Sequence, residues 1–193
     1  MWAATVLFPF ILLVTSALKL PGGLEDGVYR MYLDEHGNEI HESISTPALK
    51  EIAKASSAAQ DISDNVETRS NEVEYVESFC GCGFDLVHSD CDAAVASLEA
   101  QLGTGVLITE LSYYAIKGAV VAFVCNRGYG FEINSDDYAR GIGGVTSVCG
   151  RYVAGSLEGY SFDDGGYADV GYMQYYAGLN FCEHAEGSGS SSC

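Results

Sequence analysis

The sequence predicts an α+β domain, a two-layer sandwich in which two helices lie on one face of a mainly antiparallel sheet of three to five strands, stapled by disulfides. Three observations predict it. Residues 118–125 carry no polar side chain, apolar residues recur at helical spacing in two other segments, and all seven cysteines fall between residues 80 and 193. Continuous apolar runs are typical of strands buried on both faces, and apolar residues three or four apart are typical of a helix with one buried face.

The composition of the whole chain limits the classes of function. Lys and Arg total 9 against 27 Asp and Glu, which gives a formal net charge of −18. Nucleic acids and anionic membrane surfaces are bound mainly through Lys and Arg. We therefore expect no nucleic-acid partner, and the length of 193 residues allows one domain or two small ones.

Residues 1–17 are typical of a signal peptide. Residues 3–14 are mainly apolar, and Thr15, Ser16 and Ala17 provide the small residues that precede a cleavage site. The apolar run is shorter than the roughly 20 residues of a membrane-spanning helix. The sequence therefore predicts a secreted, extracellular protein without a stable membrane anchor, in a compartment that permits disulfides.

Residues 18–74 are predicted to form an acidic pro-region or linker, because they contain no cysteine and few large apolar residues. Alternating residues between 27 and 42 predict a small hairpin around a turn. Thr46 followed by proline is typical of the start of a short helix. Removal of this segment in the mature protein is a hypothesis, since Arg69 is a lone basic residue without the dibasic pair that a processing protease would cut.

A cysteine-rich α+β domain is predicted over residues 75–184, followed by a disordered Gly/Ser tail over 185–193. Its first helix begins at residues 89–90 and ends at Gly103, and its second runs from residues 134–135 to Gly155. Glycines within the second helix indicate a close approach to the sheet: Gly141, Gly143 and Gly144. The strands are predicted near residues 76–84, 106–109, 113–125 and 167–176.

Six cysteines are predicted to form disulfides of unknown pairing: Cys80, Cys82, Cys91, Cys125, Cys149 and Cys182. Cys193 is the odd residue, and it is free, paired between chains, or exchanged for one of the six. A single Cys-X-Cys pair does not have the spacing of a zinc site. The sequence therefore predicts no metal and no cofactor.

The sequence contains no pattern that predicts a catalytic or calcium site. His88 and Asp90 lie two residues apart at a helix start, without the nucleophile and orienting group that a triad needs. His184 lies beside the tail and is expected to be exposed. An acidic loop contains glycines but lacks the spaced pattern of a calcium-binding loop, so we expect a solvated hairpin there: Asp163, Asp164 and Asp169. No enzyme activity is predicted.

Tyrosines give the candidate binding face. A tyrosine combines an apolar ring with a hydrogen-bonding hydroxyl and is enriched in recognition surfaces. Tyr138 and Tyr172 are expected in the core, and four others are predicted to form the face: Tyr113, Tyr114, Tyr175 and Tyr176. A cell-surface protein or a glycan of a host or competitor cell could bind there.

The order of four short motifs resembles known secreted proteins. Ser89-Asp90-Cys91 opens a helix, an apolar strand follows Gly118, Cys149-Gly150 ends a helix, and Val170-Gly171-Tyr172-Met173 closes the domain. This is similar to fungal secreted cysteine-rich proteins of two kinds, the necrosis-inducing extracellular effector domain and the viral killer toxin of smut fungi. The resemblance covers about residues 79–182.

The resemblance implies a secreted, non-enzymatic effector or toxin-like protein that acts on host or competitor cells through surface binding. No functional residue is carried over, because the domain is acidic and channel block in the killer toxin family is linked to basic residues. Two alternatives stay open. A cell-wall or carbohydrate-binding module is favoured by the tyrosines, and a small secreted hydrolase is the least favoured.

Overall fold

In the part of the chain that the structure describes, nine strands form two antiparallel sheets. The computed structural model describes residues 19–44, 74–128, 130–162, 166–184 and 190–193. The strands are β1 (Gly27–Leu33), β2 (Glu39–Ser43), β3 (Glu77–Asp85), β4 (Val106–Ile108), β5 (Ser112–Lys117), β6 (Val120–Asn126), β7 (Phe131–Ile133), β8 (Val153–Ser161) and β9 (Tyr167–Gln174). Seven of them form one sheet in the spatial order β2-β1-β5-β6-β9-β8-β3, and β4 pairs with β7. Every pairing is antiparallel.

Among the described residues, three helices accompany the sheets: α1 (His88–Leu102), α2 (Ser135–Cys149) and α3 (Phe181–His184). The predicted start of α2 is confirmed, because the Asn134 side chain accepts a hydrogen bond from the Asp137 amide in a capping box. This helix ends earlier than predicted. Gly150 has φ 98° and Tyr152 has φ 65°, and this left-handed turn directs the chain into β8.

The prediction of a central strand buried on both faces is confirmed by β6. It is the fourth of the seven strands, and its residues 120–125 are 0–1% exposed. Its side chains alternate between two clusters. Val120, Ala122 and Val124 join one cluster, and Val121, Phe123 and Cys125 join the other. One strand therefore contributes to two hydrophobic cores, as the period of two along a strand requires.

The first core lies between the sheet and the two long helices, and we call this side of the sheet the helix face. Helix α1 packs on β5 and β6, and α2 packs on β3, β8 and β9. The predicted close approach of α2 is found at Gly141, where a Cβ atom would lie 2.7 Å from Val170 Cγ2. Nothing lies within 4 Å of the corresponding position at Gly143.

The second core lies on the opposite side, which we call the far face. Tyr29, Tyr114 and Phe123 pack there against Leu20 and Phe181. The covering segments also bond to each other, since the Leu20 amide donates to the Leu179 carbonyl over 2.8 Å. Short segments from distant parts of the chain thus cover this face.

The predicted fold class is wrong. The molecule is a mainly antiparallel β structure with a seven-stranded and a two-stranded sheet, and it is not a two-layer sandwich of two helices on three to five strands. Strands β1 and β2 form the predicted hairpin, within the segment that was predicted as pro-region or linker, and β8 begins in residues that were predicted as the end of a helix. They widen the main sheet, and the far face needs a cover of its own because its side chains are apolar.

Residues 27–43 belong to the main sheet. Strands β1 and β2 pair with each other, and β1 also pairs with β5 over Gly27–Met31. Residues 1–18, with the predicted signal peptide, and residues 45–73, with the predicted short helix, lie outside the described residues. Removal of the segment 18–74 stays a prediction, and it would take away two strands and part of the far-face core.

The prediction of a disulfide-bonded, cysteine-rich domain is confirmed. The pairs are Cys80–Cys149, Cys82–Cys193 and Cys125–Cys182. The pairing differs from expectation at Cys91, which keeps a free, buried thiol, while Cys193 takes a partner. Residues 190–193, from the segment predicted as a Gly/Ser tail, lie along the edge strand β3, where the Ser190 carbonyl accepts a hydrogen bond from the Cys80 amide; residues 185–189 lie outside the described residues.

Candidate functional site

The predicted tyrosine face does not exist as one surface. Tyr113 is 2% exposed and Tyr114 is 0% exposed. Strand β5 lies inside the sheet, between β1 and β6. Because successive side chains of a strand point to opposite faces, Tyr113 lies in the helix-face core and Tyr114 in the far-face core. Tyr175 is half-buried and donates a hydrogen bond to the Pro21 carbonyl, and only Tyr176 of the four is largely exposed.

A cleft at one end of β8 and β9 is the candidate site, and we call it the Arg127 cleft. Its volume is about 510 Å³. The segment before β3 forms one wall, with Val76 donating its amide hydrogen to the Glu158 carbonyl over 2.9 Å. The other lining residues come from the end of β6, from β8 and from β9: Arg127, Glu158, Gly159, Ser161, Tyr167 and Asp169.

An ion network forms the floor of the cleft. Arg127 Nε donates to Asp169 Oδ2, and Arg127 Nη2 lies 3.3 Å from Glu158 Oε1. The second oxygen of Asp169 accepts a hydrogen bond from the Gly159 amide over 3.1 Å. Arg127 also donates to the Cys182 carbonyl over 3.2 Å. The network therefore joins the ends of β6, β8 and β9 to helix α3.

Burial sets the protonation behaviour of the two carboxylates. The pKa of Asp169 is raised because the side chain is buried, and the adjacent Arg127 guanidinium opposes this shift. The pKa of Glu158 is also raised, first by partial burial and then by the negative charge of Asp169, again opposed by Arg127. The arginine thus allows a buried acid to remain an ion-pair partner.

A bulge in β8 shapes the cleft. The register between β8 and β9 shifts between Leu157 and Tyr160. Gly159, inside the bulge, has φ +61°, and a Cβ atom there would lie 2.7 Å from Val76 Cγ2. Glycine is therefore required both for the backbone conformation and for the close approach of the wall.

Aromatic and aliphatic side chains form the rim of the cleft. Tyr167 is 52% exposed and Val76 is 83% exposed, while Tyr75 is half-buried. Three carboxylates line the cleft against one guanidinium among the described residues. Since Arg127 is already bound by two of these carboxylates, the site presents negative charge and exposed apolar surface together.

Asp169 was predicted to lie in an acidic loop, but it belongs to β9 and to the Arg127 network. Asp163 and Asp164 lie outside the described residues. Within the described part of the chain, no three His, Cys, Asp or Glu side chains are arranged to hold a metal ion. An acidic residue between two buried strand neighbours, Ala168 and Val170, was the available signal for this site.

His88, one of the two histidines considered from the sequence, lies away from the candidate site. The His88 ring stacks on Tyr152 with centroids 3.9 Å apart, outside the Arg127 cleft. The side chain of His184 is not among the described parts of the structure. His88 therefore contributes no group to the candidate site.

Comparisons with known proteins give no relative: no family model, no curated protein and no solved structure matches this chain. The resemblance to fungal effectors and killer toxins therefore stays a prediction. Among the described residues, no helix is long and apolar enough to cross a membrane.

Proposed function

We propose that this protein is a secreted, non-enzymatic effector or toxin-like protein that binds a target on the surface of a host or competitor cell through the Arg127 cleft. The single observation that carries this proposal is the combination of exposed Tyr167 and Val76 with a negatively charged floor. Three disulfides are compatible with an extracellular location, because disulfides persist in oxidising compartments.

Binding is favoured over catalysis by the state of the carboxylates. Both oxygens of Asp169 accept hydrogen bonds, from Arg127 and from Gly159, and the residue is buried. A general base must reach the proton that it removes. Asp169 therefore supports the shape of the cleft, and Glu158 is the carboxylate that a ligand can reach from its partly exposed side.

The target chemistry that fits best is a basic segment of a protein. The exposed Glu74 and the partly exposed Glu158 provide negative charge, and Tyr167 and Val76 provide surface that a partner can bury. Charge complementarity of this kind speeds association and selects the partner, while a buried aromatic anchor contributes most of the affinity.

The test compares two tyrosines of equal exposure. Tyr167 is 52% exposed inside the cleft, and Tyr176 is 50% exposed outside it. Labelled protein would be bound to plant cells and to competitor fungal cells, and the same preparations would be infiltrated into leaves and spotted on fungal lawns. We expect Tyr167→Ala to lower surface binding roughly tenfold or more, as for a hot-spot residue, and Tyr176→Ala to leave it unchanged. Equal binding by both variants, or no binding by the unmodified protein, would contradict the proposal.

A second candidate is a carbohydrate-binding module. Tyr75 and Tyr167 both line the cleft, beside carboxylate oxygens that can accept hydrogen bonds from sugar hydroxyls. Insoluble chitin and β-glucan would be used as probes in a pull-down. Retention that Tyr167→Ala abolishes would favour the glycan as target, and retention of neither variant nor parent would leave the basic protein segment as the proposed ligand.

A further inference from the structure

We propose that Glu39 binds the α-ammonium group that cleavage after Ala17 leaves on Leu18, and that this ion pair fixes the start of the processed chain on the far face. The inference rests on the predicted signal peptide of residues 1–17 and is independent of the Arg127 cleft. It assigns a modification site, the new chain terminus, together with the carboxylate that recognises it.

The chain is held in place almost from the predicted cleavage site onwards. Leu20 is 2% exposed and belongs to the far-face core. Its amide donates a hydrogen bond to the Leu179 carbonyl, and its carbonyl accepts one from the Gly178 amide, both over 2.8 Å. Both polar groups of the Leu20 backbone are therefore paired, and a terminus two residues earlier starts from a fixed position.

Lys19 connects this segment to strand β2. Its amide donates a hydrogen bond to Glu39 Oε2 over 3.1 Å. Three covalent bonds separate the backbone nitrogens of Leu18 and Lys19, so these two atoms lie within about 4 Å of each other. A terminal amine on Leu18 can therefore reach the same carboxylate by rotation about its own single bonds, while Lys19 keeps its place.

The carboxylate of Glu39 lacks a partner that an ammonium group can supply. Within the described residues, Glu39 Oε1 is buried and has no hydrogen-bond partner. The neighbouring His41 Nε2 is also unpaired, and it lies 3.9 Å from Glu39 Oε2, too far for a hydrogen bond. Buried polar atoms nearly always have a partner, because leaving one unpaired costs free energy. The gap between the two side chains, which are 17% and 8% exposed, therefore lacks one polar group.

The charge of the missing group is positive. Burial lowers the pKa of His41, so its imidazole is neutral at pH 7 and does not compensate the carboxylate of Glu39. Tyr114, whose hydroxyl lies 2.8 Å from His41 Nδ1, is neutral as well because burial raises its pKa. In the uncleaved chain the Leu18 nitrogen belongs to a neutral peptide group, whereas cleavage turns it into an amine that is protonated at pH 7. The new terminus thus supplies both the charge and a donor for Oε1.

Two proteins that differ only in where the chain starts test the pairing. Released from a cleavable N-terminal fusion, one starts at Leu18 and the other at Ser16, which moves the ammonium group by two residues of native sequence. Both contain every residue that the structure describes. An NMR titration of the terminal amine measures its pKa, and we expect a value at least about 0.5 higher for the Leu18 start, because an adjacent carboxylate favours the charged form. Equal values for the two proteins would overturn the proposal.

Two substitutions in the Leu18-start protein identify the carboxylate. Glu39→Gln keeps an oxygen for the Lys19 amide but removes the negative charge, so it should return the pKa of the amine to the Ser16-start value. Glu35→Gln is the control, because Glu35 belongs to the same hairpin, is 86% exposed and lies 3.5 Å from His36 Nε2. A raised pKa that survives Glu39→Gln, or one that Glu35→Gln removes, would overturn the assignment.

The ion pair also gives a pH-dependent stability. Because the pKa of the amine is raised in the folded protein, its contribution is complete below about pH 7.7 and is lost as the pH rises through the raised value. His41 and Tyr114 do not change protonation near pH 8. At pH 7 the unfolding equilibrium constant should be roughly fivefold smaller for the Leu18 start than for the Ser16 start, and similar at pH 10. Equal constants at pH 7 would contradict the pairing.

The cleavage itself is tested with the full chain. Residues 1–193 would be expressed in a eukaryotic host that secretes proteins, and the intact mass of the product would be measured. We expect a mass that starts at Leu18, with residues 18–74 retained. No secretion, or a start at another residue, would overturn the processing step, and neither result depends on whether the Arg127 cleft binds a target.

Discussion

The helix face and the far face of the main sheet are covered in different ways. Two helices of fifteen residues each cover the helix face. The far face is covered by single side chains from separate segments, above all Leu20, Leu179 and Phe181. Both clusters are nevertheless buried to the same degree, and the alternating side chains of β5 and β6 supply both. A regular cover is therefore not needed for a core, provided that the strands beneath it are apolar on both sides.

The two faces also differ in what their buried disulfides hold in place. Cys80–Cys149 joins β3 to the end of α2 within the helix-face core, and Cys125–Cys182 joins β6 to α3 within the far-face core. Because α3 is short, the second disulfide fixes a cover that has little hydrogen bonding of its own. Each face thus has one buried covalent link, and Cys82–Cys193 ties residues 190–193 to the edge of the sheet.

The largest expected effect compares one buried residue from each face. Phe181→Ala on the far face should lower the free energy of unfolding by about 3–5 kcal/mol, and Leu98→Ala on the helix face by about 2–5 kcal/mol, because both remove fully buried side chains. Guanidinium unfolding measures both. If Phe181→Ala lowered the free energy of unfolding by less than about 1 kcal/mol while Leu98→Ala had the expected effect, the far face would not be a second packed core.

The free cysteine gives the next largest effect. Cys91 belongs to the helix face, and burial raises the pKa of its thiol from 9.0 to about 11, so its thiolate fraction at neutral pH falls about a hundredfold. We expect a thiol reagent to label the folded protein very slowly and to label one thiol per molecule after unfolding. Rapid labelling of the folded protein would contradict the burial of Cys91. No labelling after unfolding would contradict the disulfide pairing, which leaves Cys91 free.

A smaller, pH-dependent effect is expected at His41, which borders the far face and shares a hydrogen bond of 2.8 Å with the Tyr114 hydroxyl. Burial lowers the pKa of His41 below 6.5, and the charge of Glu39 opposes the shift. The unfolded chain therefore binds this proton more readily, so the contribution to stability is complete above pH 6.5 and is lost as the pH falls towards the lowered pKa. Unfolding curves between pH 7.5 and 5.5 should show a loss of at most about 1.4 kcal/mol per pH unit, which His41→Gln reduces. An identical loss of stability in His41→Gln would contradict the assignment of this pH dependence to His41.

The helix face could be predicted from the sequence because its signals are local. The apolar run of β6, the spacing in α1 and the cap at Asn134 each lie within one segment. The start of strand β8 was missed because Val153 lies four residues after Cys149 and so continues the helical spacing of apolar residues. The helix nevertheless ends at Cys149, since the positive φ angles of Gly150 and Tyr152 change the direction of the backbone. The far face was missed because its covering residues have no periodic pattern.

The candidate site could not be predicted because it depends on strand register. Arg127 follows β6, and Glu158 lies in the bulge of β8. Asp169, in β9, is paired with Cys125 of β6. These positions are far apart in the sequence, and only the pairing of three strands brings them together. The tyrosines show the same dependence: β1, from an acidic segment, pairs with β5 and makes it an interior strand, and Tyr113 and Tyr114 lie in the cores on its two faces.

Native-state hydrogen exchange tests most directly whether the far face and residues 27–33 belong to one folded unit with the helix face. The amides of Tyr29 and Met31 in β1 would be compared with those of Val121 and Phe123 in β6. We predict that both pairs exchange only through global unfolding, with free energies that agree within about 1 kcal/mol. Exchange from β1 at free energies several kcal/mol lower, or a mature protein that is folded without β1, would contradict the account.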